Sequence, residues 1–273
     1  MRFAVITNLH ANLPALEAIL TDIEANQPRV ERIVSAGDVV GLGPFPNEVI
    51  DLLRAREIET VRGNYDDAVA FERLGSGVDF PTQLEEQADN RALAWTRSQL
   101  RSENLQYLRD LPRTLQLVRI PAGLGVKRDV EDQRTAEYRR TFFVRALLGG
   151  LARTPKEPSK KVIVMHGSPR ALNENVRPDT AKSILGNIAR EAEGDVLVTG
   201  HAGVGFSRPY EQLTFVGSPS VGRPATRTAT AEYGVVYVGQ EIETDVVGVS
   251  YDASPYLEAI DRGGLPRPVT SLW

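Results

Sequence analysis

Short apolar runs that stop abruptly at polar or glycine-containing turns recur along this chain, with stretches of helical periodicity between them. Phe3–Ile6 is the first such run, and it gives way to the polar turn Thr7-Asn8-Leu9-His10. From Pro14 to about Asn26, Leu16, Ile19, Leu20 and Ile23 recur at helical spacing; Asn12 suits the cap and Pro14 the first turn. Arg32–Ser35 predicts a second strand, broken by Gly37-Asp38. A loop holding Gly41, Gly43, Pro44 and Pro46 follows, then a helical pattern over Val49–Ala55. Glu59–Val61 predicts a third strand, closed by Gly63-Asn64. Three strand–loop–helix units in succession predict an α/β fold with right-handed crossovers and a mostly parallel sheet.

The same alternation returns later. Gln83–Leu111 reads as helical, and a further helix is expected around Glu131–Leu148, before a Pro- and Lys-rich loop over Thr154–Lys161. Val162–Met165 predicts a buried strand ending at His166-Gly167-Ser168. Asp179–Glu193 is helical in pattern, and Val196–Val198 predicts a strand that stops at Gly200-His201. Thr214–Val216, Gly234–Val238 and Thr244–Ser250 are expected to form a second, more antiparallel sheet. A short helix over Ser254–Arg262 closes the pattern. Sheets of this kind bind ligands at the carboxyl ends of their strands, so the topology by itself predicts that Asn8, His10, Asp38 and Asn64 meet.

Composition narrows the chemistry. The chain has 273 residues and no cysteine, which excludes disulfide frameworks, thiolate metal sites and cysteine nucleophiles. Its formal charge of −4 argues against a protein that coats nucleic acid. No stretch approaches the length of an apolar membrane span, and Met1–Thr7 is too short for a signal peptide, so a cytoplasmic protein is expected. There are only three histidines, His10, His166 and His201, and each stands at or just beyond the end of an apolar run. Imidazoles at strand ends, with Asp38 and Asn64 nearby, make a nitrogen and oxygen donor set suited to a first-row divalent metal.

The order N-x-H (Asn8, His10), G-D-x-x-G (Gly37–Gly41), G-N-Y-D (Gly63–Asp66), H-G-S-P-R (His166–Arg170) and G-H-x-G (Gly200–Gly203) resembles the calcineurin-like metallophosphoesterases. Their pattern is D-x-H, G-D-x-x-G, G-N-H-D, a lone His and G-H-x-H; the Gly217–Pro224 turn is also similar to a stretch of that family. The resemblance spans nearly the whole chain except about Ala122–Lys161. It implies a single domain over 1–273 with a basic helical insertion at about 122–161, folded as a two-sheet sandwich flanked by helices (four layers, α-β-β-α). It further implies hydrolysis of a phosphoester, a phosphodiester first, in a phosphorylated small molecule or nucleotide. The cofactor implied is one or two divalent metals, manganese first, with zinc, iron or nickel as alternatives.

Carried across by resemblance, Asp38 would bridge two ions, and Asn64, His166 and His201 would complete one site. The other would use Asn8, His10 and position 203, where this chain has asparagine and glycine in place of a carboxylate and an imidazole. Tyr65 stands where the family has its acidic histidine, and a phenol there could donate a hydrogen bond to a leaving oxygen. Two dications about 3.5–4 Å apart repel by roughly 20 kcal/mol at an effective dielectric near 20. With Asp38 as the sole carboxylate between them, one well-held ion and a weak or absent second are expected. The alternative is a catalytically weak or inactive member that kept the fold as a scaffold.

Other features divide between function and packing. Arg170 is placed to pair with a substrate phosphate or to fix its own loop. The stretch Ala122–Lys161 carries ten lysines and arginines against five acidic residues, with Tyr138, Phe142 and Phe143 among them. It reads first as a solvated amphipathic helix that could mediate homo-oligomer contacts, and only secondarily as a nucleic-acid contact. Ser168 and Ser218 sit in no nucleophile motif.

Overall fold

The computed structural model describes residues 1–120, 123–128, 159–263 and 265. Most of the basic segment, including the helix expected over 131–148, lies outside the described residues. Strand β1 (Arg2–Ile6) shows how the architecture arises from alternation. Phe3 and Val5 point into one apolar cluster, and Ala4 and Ile6 into another. A strand apolar on both faces must be covered on both. Helix α1 (Leu13–Asn26) covers the outer one with Leu16, Ile19, Leu20 and Ile23, and the Asn12 side chain caps it as expected by accepting from Ala15 N–H.

The chain continues through β2 (Arg32–Ser35), α2 (Pro46–Ala55), β3 (Glu59–Thr60) and α3 (Asn64–Ala70), then α4 (Gln83–Gln99) and α5 (Ser102–Asp110). Strands β4 (Thr114–Ile120) and β5 (Gly123–Arg128) form a hairpin, followed by β6 (Lys160–Met165), α6 (Lys182–Glu191) and β7 (Val196–Thr199). The last elements are β8 (Phe206–Tyr210), β9 (Leu213–Gly217), β10 (Thr228–Val238), β11 (Ile242–Asp252) and α7 (Ser254–Gly263). One sheet has five strands in the order β11-β10-β1-β2-β3, the other six in the order β5-β4-β6-β7-β9-β8.

Both sheets are mixed, which corrects the expectation of a mostly parallel one. The parallel part of each is a three-strand core, β1-β2-β3 and β6-β7-β9; antiparallel strands extend the first beyond β1 only and the second on both sides. The late strands also divide: β9 joins the second sheet, whereas the long β10–β11 hairpin returns to the first beside β1. Phe3, Val5, Val34, Leu115, Leu117, Val162, Val164, Val196, Val198 and Val236 fill the space between the sheets. On the far face of the second sheet, Leu185 and Ile188 of α6 pack on Ile163, Leu197 and Phe215. Layers therefore run helix, sheet, sheet, helix, and the carboxyl ends of both parallel cores open toward one edge.

The single helix expected over Gln83–Leu111 is two. Asn47 fills the break: its side-chain Nδ2 donates to the Gln99 carbonyl and its Oδ1 accepts from Arg101 N–H, so backbone groups that a continuous helix would use internally are satisfied from outside. No helix among the described residues is long and apolar enough to cross a membrane.

Candidate metal centre

The loops after β1, β2, β6 and β7 meet at that open edge. Backbone bonds lace the first two together: Asn8 N–H donates to Gly37, His10 N–H to Asp38 and Ala11 N–H to Val39. The second pair is tied by the His166 carbonyl, which accepts from both Gly200 and His201 N–H at 2.7 Å. Asn8, His10, Ala11 and Asp38 all have φ between 44° and 55°, a left-handed backbone that, glycine aside, asparagine, aspartate and histidine adopt most readily and alanine does not. Such a run of costly conformations persists only where surrounding contacts hold it.

Asp38, His166 and His201 form a buried group whose ligand atoms lie within 4.8 Å of one another. The His166 ring sets the chemistry. Its Nδ1–H donates to the Ala36 carbonyl at 2.7 Å, so in the neutral ring Nε2 carries a lone pair. That nitrogen faces Asn64 Oδ1 at 2.9 Å, His201 Nδ1 at 3.2 Å and Asp38 Oδ2 at 3.2 Å. Asn64 has no freedom to turn its amide, because Nδ2 donates to the Ser76 carbonyl at 2.9 Å. Acceptor atoms thus converge on one point, an arrangement that repels itself unless a proton on the ring or a metal cation sits among them. Two imidazoles, one carboxylate and one amide oxygen are the donor set a first-row divalent ion takes, so the residues fit a metal.

Charge within the group follows from burial and neighbours. Burial alone would raise Asp38, but the His166 ring beside it holds its carboxyl below the usual range. The converse holds for His166: burial lowers it, and the Asp38 carboxylate more than reverses this. His201 falls to about 4, through burial and then the adjoining His166. His10 falls to about 4 as well, from burial, with Asp38 opposing and Arg223 adding to the drop.

The remaining sequence-chosen residues divide. His10 stands beside the group: its Nδ1 donates to the Val40 carbonyl at 3.3 Å, and its ring meets Tyr65 edge-on at 4.8 Å. Asn8 is buried with Nδ2 donating to the Gly200 carbonyl at 3.3 Å, near the position a Gly203 side chain would take. Tyr65 is placed differently from the expectation of a hydrogen-bond donor to a leaving group. Its hydroxyl donates to Asp89 Oδ1 at 2.7 Å, and Ser76 Oγ donates to Oδ2 of the same carboxylate at 2.8 Å. Burial, then Asp89, pushes the phenol well above its ordinary range. What Tyr65 gives the site is its backbone N–H, which holds Asp38 Oδ1 at 2.9 Å. Arg170 is exposed and forks onto Glu174, which also accepts from Ser168 Oγ, so the loop-fixing role is the one it fills here.

Asp66 is the functional residue that sequence reading passed over. Its two carboxylate oxygens accept from the backbone N–H of Asp38, Val39, Val40 and Gly63 at 2.9–3.1 Å. Burial, and then Asp38, push its carboxyl up to about 7, against the pull of those N–H groups. Its position three residues after Gly63 at the start of a helix is the capping signal that could have exposed it. Gly63 itself is dictated by proximity: a Cβ there would lie 2.1 Å from Asp38 Oδ1.

Residues 1–205 match the model of a family described as calcineurin-like phosphoesterase. An uncharacterized protein of Methanocaldococcus jannaschii is 24% identical over 282 residues, covering 97% of this chain and 93% of that one. Among solved structures, a hypothetical protein from Pyrococcus horikoshii is 22% identical with a TM-score of 0.71, covering 97% of this chain and 94% of its own. A metallophosphoesterase from Sphaerobacter thermophilus is 24% identical with a TM-score of 0.64, covering 97% of this chain and 95% of its own. These likenesses show the fold.

Proposed function

The chain belongs to the calcineurin-like phosphoesterase family, whose members are metal-dependent phosphoester hydrolases, and we propose from that premise that it hydrolyses phosphodiesters through a single well-held divalent ion. Asp38, Asn64, His166 and His201 would hold that ion. The reading is carried by one observation: His166 Nε2 faces Asn64, His201 and Asp38 at 2.9–3.2 Å, with its other nitrogen fixed as a donor. A bound divalent ion would polarise a phosphoryl oxygen and make a water acidic enough to attack at neutral pH.

The rest falls to the chain's own groups. Asp38 brings the negative charge, held in place by Tyr65 N–H. Asp66 fixes the loop on which Asp38 rides. His10 borders the site with its Nδ1 committed to Val40, which leaves Nε2 as the basic nitrogen. The second half of a two-ion centre is weakened at source. Asn8 is neutral and turned toward Gly200, and Gly203 offers no donor. Manganese is the first choice of ion, ahead of zinc, iron and nickel.

Elemental analysis of protein purified without added metal, then turnover of bis(p-nitrophenyl) phosphate, tests the proposal. About one ion per chain and turnover abolished both by chelator and by Asp38→Ala are expected. No turnover above the Asp38→Ala level, across several phosphoesters with metal supplied, would leave the family fold serving a scaffold role.

A further inference from the structure

Arg223 occupies the turn after Ser220, which is fastened over the β1 loop by Val221 N–H to the Thr7 carbonyl at 3.0 Å and by Asn12 Nδ2 to the Gly222 carbonyl at 3.1 Å. Its Nε and Nη2 are buried and have no hydrogen-bond acceptor. The Tyr256 hydroxyl on α7 is buried in the same condition. The guanidinium lies near enough for its charge to act on His10, on Asp89 and on Tyr256. Asp89 does not neutralise it by contact: its oxygens accept from Tyr65 and Ser76, and neither meets the Arg223 Nε or Nη2.

Arg223 is half-buried, and two buried donors left without acceptors are destabilising, a cost that a ligand offering two oxygens would relieve. Nε–H and Nη2–H share one edge of the planar guanidinium and point the same way, a spacing matched to two oxygens of a phosphoryl group. The location adds to this. Arg223 sits on the His10 side of the centre, the half in which Asn8 and Gly203 fail to supply ligands for a second ion. A positive guanidinium there also disfavours a second dication.

We propose that Arg223, with the Tyr256 hydroxyl, forms an anion subsite for the phosphoryl group of the substrate, delivering through its guanidinium the positive charge that a second metal ion would otherwise bring. This rests on the phosphoesterase reading above, and specifies how that one-ion site grips its substrate.

Inorganic phosphate is the probe, titrated calorimetrically into the full chain both metal-free and manganese-loaded, for the wild type, Arg223→Met, Arg223→Lys and Arg170→Met. Arg223→Met is expected to weaken phosphate binding by about tenfold or more in both states. Arg223→Lys, which keeps the charge and loses the fork, should fall between, and Arg170→Met should match the wild type. The affinity for the first manganese ion should be unchanged in Arg223→Met. The melting temperature of the ligand-free Arg223→Met chain should stay level or rise, since two buried donors without acceptors have been removed. A merely structural arginine would instead lower it. Equal phosphate affinity in the wild type and Arg223→Met, or no binding to the wild type in either state, overturns the subsite. Manganese-dependent turnover indifferent to Arg223 would sink the subsite alone. Arg223-dependent phosphate binding without any turnover would sink the hydrolase reading and leave the subsite standing.

Discussion

Replacing Asp66 with asparagine isolates the contribution of a residue that touches no ion. In the native chain four backbone N–H groups converge on its carboxylate, Val39 and Val40 on Oδ1, Asp38 and Gly63 on Oδ2. The asparagine oxygen can keep two of these, whereas its NH2 would face the other two donor to donor. Each buried N–H left unmet costs about 1–3 kcal/mol, so two cost about 2–6 kcal/mol. Relief of the repulsion between Asp66 and Asp38 returns part of this, leaving a net loss of about 2–4 kcal/mol, set against a total stability of order 5–15 kcal/mol. Urea unfolding of the metal-free chain measures it, with Asp67→Asn as the control. Asp67 pairs with Arg62 and Arg73 near the surface and should cost no more than about 1 kcal/mol. The displaced loop carries Asp38, so manganese affinity should fall by about 10–100-fold. An Asp66→Asn chain as stable as the Asp67→Asn control, with manganese affinity intact, would refute the view that this carboxylate positions the metal centre.

Tyr65→Phe should lower stability by about 1–2 kcal/mol through the lost bond to Asp89, yet leave kcat within about threefold, because the hydroxyl is committed away from the chemistry; a loss of a hundredfold or more would restore the phenol as a proton donor. Asn8→Asp should raise the affinity for a second ion, measured by metal titration. Gly203→His should instead destabilise the chain by about 1–3 kcal/mol without adding an ion, since φ there is +62° and a Cβ would lie 3.0 Å from Ser220 Cβ. For pH, His10 drops from 6.5 to about 4 in the fold, so the unfolded chain binds the proton first as pH falls. Its contribution to stability should therefore be complete above 6.5 and shrink by about 3 kcal/mol on the way to pH 4, seen as a shallower acid dependence in His10→Gln.

The early strands and the site were legible for the same reason: apolar runs that end at polar turns mark the strand ends where ligands gather. Arg32–Ser35 formed as expected, and Asn64, His166 and His201 meet at Asp38 as their strand-end positions implied. Local pattern failed where partners were distant. Nothing near Leu100 announces that Asn47 will interrupt the helix, and nothing in Thr214–Val216 or Gly234–Val238 says that they pair in different sheets. Arg170 and Arg223 show the same limit from the side of function. The arginine that followed a histidine motif is occupied by Glu174, whereas the one left inside a turn is the one with unmet donors.

His166 belongs to the second sheet, yet its ring is anchored on Ala36 at the end of a first-sheet strand. The imidazole acts as a rivet through the seam of the sandwich, and a captured ion would tighten it. Ion exchange should then require the two halves to part, so that metal release is governed by the slow breathing of the whole scaffold rather than by any local flap.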